Sequence, residues 1–243
     1  PQAQVGDVVR IEIKPKSFGR IAAQTARQVI IQGIREAEQG MVYDEFCSKE
    51  HELLTGVVTR IDPRNGAATV RISSGAEFTD AYLGVNEQVR GETYAEGQRL
   101  KVYMVEVRKA TKGPQVIISR TPPGLVKRLF ELEVPEIYDG TVEIKSISRE
   151  AGSRTKLAVL AHDENVDAVG ACIGPRGARV GNIVEELGGE KIDIVEYSEE
   201  PEKFIAAALS PARVLSVEVD PDGAKSCRVT VPDHQLSLAI GNK

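Results

Sequence analysis

The sequence predicts an α+β protein made of several small domains in a row: a long helix, a small β-barrel and two tandem units of mixed helix and strand. Three observations carry this expectation. Apolar residues recur at helical spacing from Phe18 to Met41. Residues 52–121 read instead as short strands parted by turns rich in glycine and proline. One order of elements then closes on Ile173-Gly174-Pro175-Arg176 and recurs to close on Ile240-Gly241-Asn242-Lys243, an internal duplication whose second copy is cut short.

Composition bounds the function. With 243 residues, 41% of them hydrophobic and 28% charged, the chain reads as soluble and globular. Its 22 glycines and lack of tryptophan point to many turns and small modules. The formal net charge of −5 requires any nucleic-acid site to be a local positive patch on an acidic body. Cys47, Cys172 and Cys227 lie far apart with no zinc-ligand spacing, and read as reduced, buried residues of a cytoplasmic protein. Neither a signal peptide nor a membrane-spanning run is visible, and no metal or cofactor is expected. The start at Pro1 and the end at Lys243 predict an excerpt of a longer protein.

Taken in order, Val5 to Lys14 alternates as a strand, with Val9, Ile11 and Ile13 on one face. Ser17 can cap the helix that follows, which is expected to reach about Asp44. That helix either connects two bodies or packs on its own domain. Gly56 to Ile61 and Ala68 to Ile72 are strands around an Asn65-Gly66 hairpin turn. Leu100 to Arg108 and Gln115 to Ser119 are strands around Lys112-Gly113-Pro114. Together they predict a closed barrel of the OB type.

Leu125, Leu129 and Leu132 then mark a helix face stopped by Pro135. Strands follow at Thr141 to Ser148 and Thr155 to Ala161, then helices at Val166 to Cys172 and Ala178 to Leu187, then a strand at Lys191 to Glu196. Gly188-Gly189 suits a left-handed helix end. The second copy offers a helix around Phe204, strands at Arg213 to Val219 and Ser226 to Val231 around Pro221-Asp222-Gly223, and a helix from Gln235.

The candidate chemistry lies in Gly174-Pro175-Arg176-Gly177. A Gly-x-x-Gly turn between two helices lets a sugar-phosphate backbone lie against main-chain N–H groups. Alone such a tetrapeptide is weak evidence. Its place after paired strands, its basic residues and its duplication match the KH module, which holds single-stranded RNA. Gly174 and Gly177 allow close approach, and Pro175 stiffens the loop. Arg176 and Arg179 are expected to meet phosphates beside the positive end of the helix that Ala178 opens. Ala178 completes the contact set, and Asn182 reads a base edge or faces solvent. Ile173 and Val180 are expected in the core beneath. Gly241, Asn242 and Lys243 take the same roles in the second copy.

On the barrel, Arg71, Lys101, Arg108 and Arg120 are weaker candidates for a phosphate track, with an ordinary solvated face as the alternative. Phe78, Tyr82, Tyr94 and Tyr103 form no clear row on one face. No enzyme is expected. His51, His162 and His234 fall in different modules, and the glycine loop is neither a nucleotide-hydrolase phosphate loop nor a dinucleotide fingerprint.

The order of modules resembles the NusA family of bacterial transcription factors across essentially the whole chain. The resemblance rests on Phe18-Gly19-Arg20-Ile21-Ala22, on Gly113-Pro114-Gln115 with Ser119-Arg120-Thr121, on Leu129 through Ile137, and on Gly170 through Val180. It implies a remnant of an N-terminal polymerase-binding domain with the connector helix at 1–50, an S1 barrel at 51–121, and type II KH domains at 122–197 and 198–243. It also implies a factor that binds the nascent transcript and RNA polymerase, works beside other transcription factors, and modulates pausing, termination and antitermination. Two alternatives stand: a fragment of an exoribonuclease of the polynucleotide phosphorylase kind, which also carries KH and S1 modules, or a protein-binding scaffold.

Overall fold

The computed structural model describes residues 19–110, 113–220 and 225–241. The strand expected at Val5 to Lys14, the cap Ser17, the turn residues Lys112 and Pro221-Asp222-Gly223, and the site residues Asn242 and Lys243 lie outside the described residues.

Helix α1, Arg20–Cys47, has 28 residues and is about 42 Å long at 1.5 Å per residue. Ile21, Val29, Ile30, Ile34 and Met41 are exposed along it. Among the described residues, its last turns are the ones held: Val42, Tyr43, Phe46 and Cys47 pack on the barrel, with Phe46 fully buried. The Ser74 hydroxyl donates to the Glu45 carboxylate at 2.6 Å, and the Val107 N–H to Glu50 at 2.9 Å, pinning the helix end to the barrel.

The barrel comprises β1 (Leu53–Ile61), β2 (Ala68–Ser74), β3 (Glu77–Leu83), β4 (Arg99–Ala110) and β5 (Gly113–Ser119), closed in the order β1-β2-β3-β5-β4. The β3–β5 pair is parallel, and the other pairs are antiparallel. Closure removes open sheet edges. Val70, Ile72, Leu83, Met104 and Ile118 fill its interior. Gly56 is glycine for space, since a Cβ there would lie 2.4 Å from a Val70 methyl. The sequence expectation lacked β3. Only Ala81 and Leu83 of that strand are buried, while Phe78, Asp80 and Tyr82 face outward, so no apolar alternation marks it.

The next unit runs α2 (Pro123–Glu133), α3 (Pro135–Tyr138), β6 (Val142–Glu150), β7 (Arg154–Ala161), α4 (Ala168–Ile173), α5 (Ala178–Glu186) and β8 (Lys191–Glu196). Its sheet is ordered β6-β7-β8, antiparallel then parallel. Leu125, Leu129, Phe130, Leu157, Ile183 and Leu187 form the core. Leu132, expected on the same buried face, is exposed and lines a groove with Leu53, Pro135 and Tyr138, while the buried face of α2 runs through Leu125, Val126, Leu129 and Phe130. Gly188 and Gly189, both at positive φ, close α5 as expected. The second copy shows α6 (Pro201–Ala208), β9 (Ser216–Val219), β10 (Cys227–Thr230) and α7 (Leu236–Ile240).

Buried charges join the barrel to this unit. The Arg120 guanidinium donates to Glu92 at 2.6 and 2.7 Å, to the Lys101 carbonyl at 2.6 Å, and to the Glu186 carbonyl at 2.7 Å. The neighbouring pair Arg149–Glu190 is sealed from solvent at 1% and 0% side-chain exposure. Arg149 also donates to the carbonyls of Arg120 and Pro122, the residues that leave the barrel. At the other end, the Lys156 ammonium on β7 donates to the carbonyls of Ala208, the last residue of α6, and Ser210 just beyond it, and Tyr197 meets Phe204 with ring centroids 5.1 Å apart.

Candidate nucleic-acid interface

Asp167 starts the site by capping α4, its carboxylate accepting the Gly170 N–H at 2.9 Å. The chain leaves α4 at Gly174, where φ is 74° and ψ 175°, a conformation closed to side-chain-bearing residues. The Gly174 N–H donates back to the Gly170 carbonyl at 2.9 Å, and the Gly177 N–H to the Gly174 carbonyl at 3.1 Å. Gly177 is left-handed at φ 78° and ψ 14°. Arg176 is left-handed too, at φ 56° and ψ 24°. A bulky residue there stores backbone strain of about 1–3 kcal/mol, a cost concentrated at functional sites. Nothing in the residue pattern signals this strain at a position between two glycines.

Pro175, Arg176 and Ala178 are exposed. Arg176 has no ion pair among the described residues, so its charge is available at the tip. Arg179 is half-buried instead, its guanidinium donating to Glu136 at 2.8 Å and to the Ala171 carbonyl at 2.6 Å. Asn182 is exposed on α5, with its amide 3.2 Å from Glu133. Val180 packs on the core as expected, but Ile173 is exposed. Below the loop the Cys172 thiol is buried, and burial, with the Glu136 carboxylate adding to it, pushes its pKa up to about 12. It stays protonated and inert at neutral pH.

The duplication extends to the backbone. Gly241 has φ 74° and ψ −170°, close to Gly174, and its N–H returns to the Ser237 carbonyl at 3.1 Å. The structure therefore brings Gly174 to Arg179 and Asn182 into one loop and helix start, and repeats the entry at Gly241.

The barrel candidates separate. Arg120 is corrected: at 3% exposure it cannot track a phosphate backbone, and its charge is spent on Glu92 and Glu186. Arg71 is exposed but paired with Asp80 at 3.0 Å, and exposed Arg108 is paired with Glu106. Lys101 lines a groove between barrel and α5 with Arg99, Glu133 and Asn182. The aromatics separate as well. The Tyr94 hydroxyl donates to Glu92 at 2.6 Å, and Tyr103 packs on the core of the following unit. Phe78 and Tyr82 do share the outer face of β3, four residues apart, at 66% and 43% exposure on either side of Asp80. That pair was missed because β3 itself was.

Among the described residues, no group of three or more His, Cys, Asp or Glu side chains is placed to hold a metal ion, and no helix is long and apolar enough to cross a membrane.

An OB-type barrel followed by two helix–glycine-loop units defines a tandem KH protein. Residues 120–197 match the NusA-like first KH domain, residues 201–243 the NusA-like second KH domain, and residues 1–40 the NusA N-terminal domain. A transcription termination/antitermination protein NusA of Bacillus subtilis is 55% identical over all 243 residues, which cover 64% of its length. Proteins of the same name from Mycobacterium bovis and Thermus thermophilus are 49% and 47% identical, over 94% and 99% of this chain and 67% and 61% of theirs. The chain belongs to the NusA family. It spans about two thirds of the length of these relatives.

Proposed function

We propose that the chain is the RNA-holding portion of a cytoplasmic transcription factor. It grips single-stranded nascent RNA while RNA polymerase pauses, terminates or reads through a terminator. The observation that carries this reading is the glycine loop at 174–177, which presents an exposed Arg176, without an ion pair among the described residues, on strained left-handed backbone at the start of α5. The matching backbone at Gly241 supports a second grip further along the same strand. In this reading Gly174, Pro175, Arg176, Gly177 and Ala178 line the first grip, Arg179 and Asn182 flank it, and Gly241 with Asn242 and Lys243 forms the second. Phe78 and Tyr82 add a surface on the barrel where bases can stack.

The working units are residues 1–50, 51–121, 122–197 and 198–243. The first would carry the polymerase contact, and other transcription factors would meet the assembly. The activity is binding, without catalysis or a cofactor. Its test is titration with single-stranded RNA across a range of salt concentrations. Affinity is expected to fall as salt rises, since each phosphate contact releases counterions. Pro175→Asp with Arg176→Asp should abolish most binding and leave the thermal transition in place. Undiminished affinity in that variant would overturn the reading.

A further inference from the structure

The two arginines of the loop look equivalent in sequence and are built differently. The stem of Arg179 runs back across Gly174: a Cβ on that glycine would lie 2.6, 2.8 and 3.0 Å from the Cγ, Cδ and Cβ of Arg179. Beyond the stem, one guanidinium nitrogen, Nη1, bridges the Ala171 carbonyl at 2.6 Å and the Glu136 carboxylate at 2.8 Å. The carbonyl belongs to the last turn of α4, where no intrahelical N–H is available to it. The carboxylate belongs to α3. One side chain therefore ties α5, α4 and α3 together beneath the loop.

We propose that Arg179 is a positioning residue, which with Glu136 braces the glycine loop, while the phosphate charge is met by Arg176. This rests on the reading that the loop holds RNA. Drawing Arg179 out to a phosphate would strip the Ala171 carbonyl of its donor. It would also leave the Glu136 carboxylate unpaired close to an incoming polyanion. Arg176 carries no such obligation among the described residues. Gly174 gains a second reason to be glycine: besides its positive φ, it leaves the space through which the brace passes.

The consequence is unusual for an RNA site. Glu136 is an acid beside the binding loop, yet removing its charge is predicted to weaken RNA binding. If Glu136 merely competed with phosphate for Arg179, removing it would tighten binding.

The experiment measures single-stranded RNA affinity against salt for the full chain and for Arg176→Met, Arg179→Met, Arg179→Lys and Glu136→Gln. Amide hydrogen exchange at Gly174, Arg176 and Gly177 is followed in the RNA-free proteins. Arg176→Met should cut affinity about tenfold and lower the slope of log K against log salt by about 0.7, the loss of one single-strand phosphate contact. Both Arg179 variants and Glu136→Gln should cut affinity several-fold with the slope unchanged, and should speed exchange in the loop without RNA. Arg179→Lys keeps a charge within reach of a phosphate but loses the rigid fork. If Arg179→Met does not fold, Arg179→Lys and Glu136→Gln decide. A slope lowered by Arg179→Met, tighter binding in Glu136→Gln, or loop exchange unchanged in both would overturn the brace while leaving the RNA site standing. Arg176→Met with wild-type affinity and slope would overturn the RNA site and the brace with it.

Discussion

Glu190→Gln is predicted to cost the fold heavily. Both Glu190 oxygens are committed: they accept Arg149 Nε and Nη2 at 2.9 Å each, the Gly152 N–H at 2.8 Å and the Thr155 hydroxyl at 2.6 Å. The Gln amide has almost the same shape but carries no charge, and its NH2 group would confront donors. Arg149 stays behind as an uncompensated cation at 1% exposure. Breaking such a buried pair from one side costs about 3–5 kcal/mol. For a cooperative unit of about 150 residues, at roughly 2–4 °C per kcal/mol, Tm falls by about 6–20 °C. Calorimetry and urea denaturation of the wild type and variant measure this. Adding Arg149→Met to Glu190→Gln removes the stranded charge and should recover part of the loss, with a coupling energy above about 1 kcal/mol. A loss below about 1 kcal/mol for Glu190→Gln alone would refute the claim that this pair holds the joint between barrel and first KH unit.

The same carboxylate predicts a pH dependence. Burial by itself would raise its pKa, but the donors from Arg149, Thr155 and Gly152 prevail and hold it below the ordinary 4.5. Glu190 therefore stabilises the folded state above about pH 4.5, and that contribution disappears as pH falls through its lower folded value, an acid limb that Glu190→Gln should flatten. Gly174→Ala should lose most RNA affinity, because the new methyl meets both a φ of 74° and the Arg179 stem, and RNA titration checks it. Phe78→Ala and Tyr82→Ala should each weaken RNA binding by about 1–3 kcal/mol if bases stack there, with Tm unmoved because both rings are exposed. Lys156→Met should leave binding of short RNAs intact. It should reduce the gain in affinity from lengthening the RNA to span both loops, since Lys156 holds the carbonyls at the C-terminal end of α6.

What the sequence disclosed follows from where each element keeps its apolar residues. The helix of α1, the hairpin at Asn65-Gly66 and the two glycine-loop units are written in local periodicity and turn chemistry, so they were legible. Strand β3 was not, because its outward face carries two aromatics and its inward face only Ala81 and Leu83 before the turn. Leu132 kept the helical period with Leu125 and Leu129 and was still exposed, because the buried stripe of α2 is centred on Val126 and Phe130 as well and tertiary packing, not period, sets its edge. Arg176 could be placed at the loop tip from sequence, but not its left-handed backbone, a conformation that an arginine seldom adopts.

Arginines were the residues least decided by pattern. Arg120, Arg149, Arg176 and Arg179 differ little in sequence context, yet one is exposed and unpaired among the described residues, one is half-buried in a brace, and two are sealed inside a joint. The physical reason is that a guanidinium has five donors in a fixed fork. It can satisfy carbonyls at chain junctions as readily as phosphates, and which it does depends on carboxylates far away in sequence: Glu92 and Glu186 for Arg120, Glu190 for Arg149, Glu136 for Arg179. The chain's acidic balance is therefore part of how the site is made. Acids tie up the arginines that hold the modules in line, and under the proposed function the loop arginine without an acid partner among the described residues is the one that meets RNA.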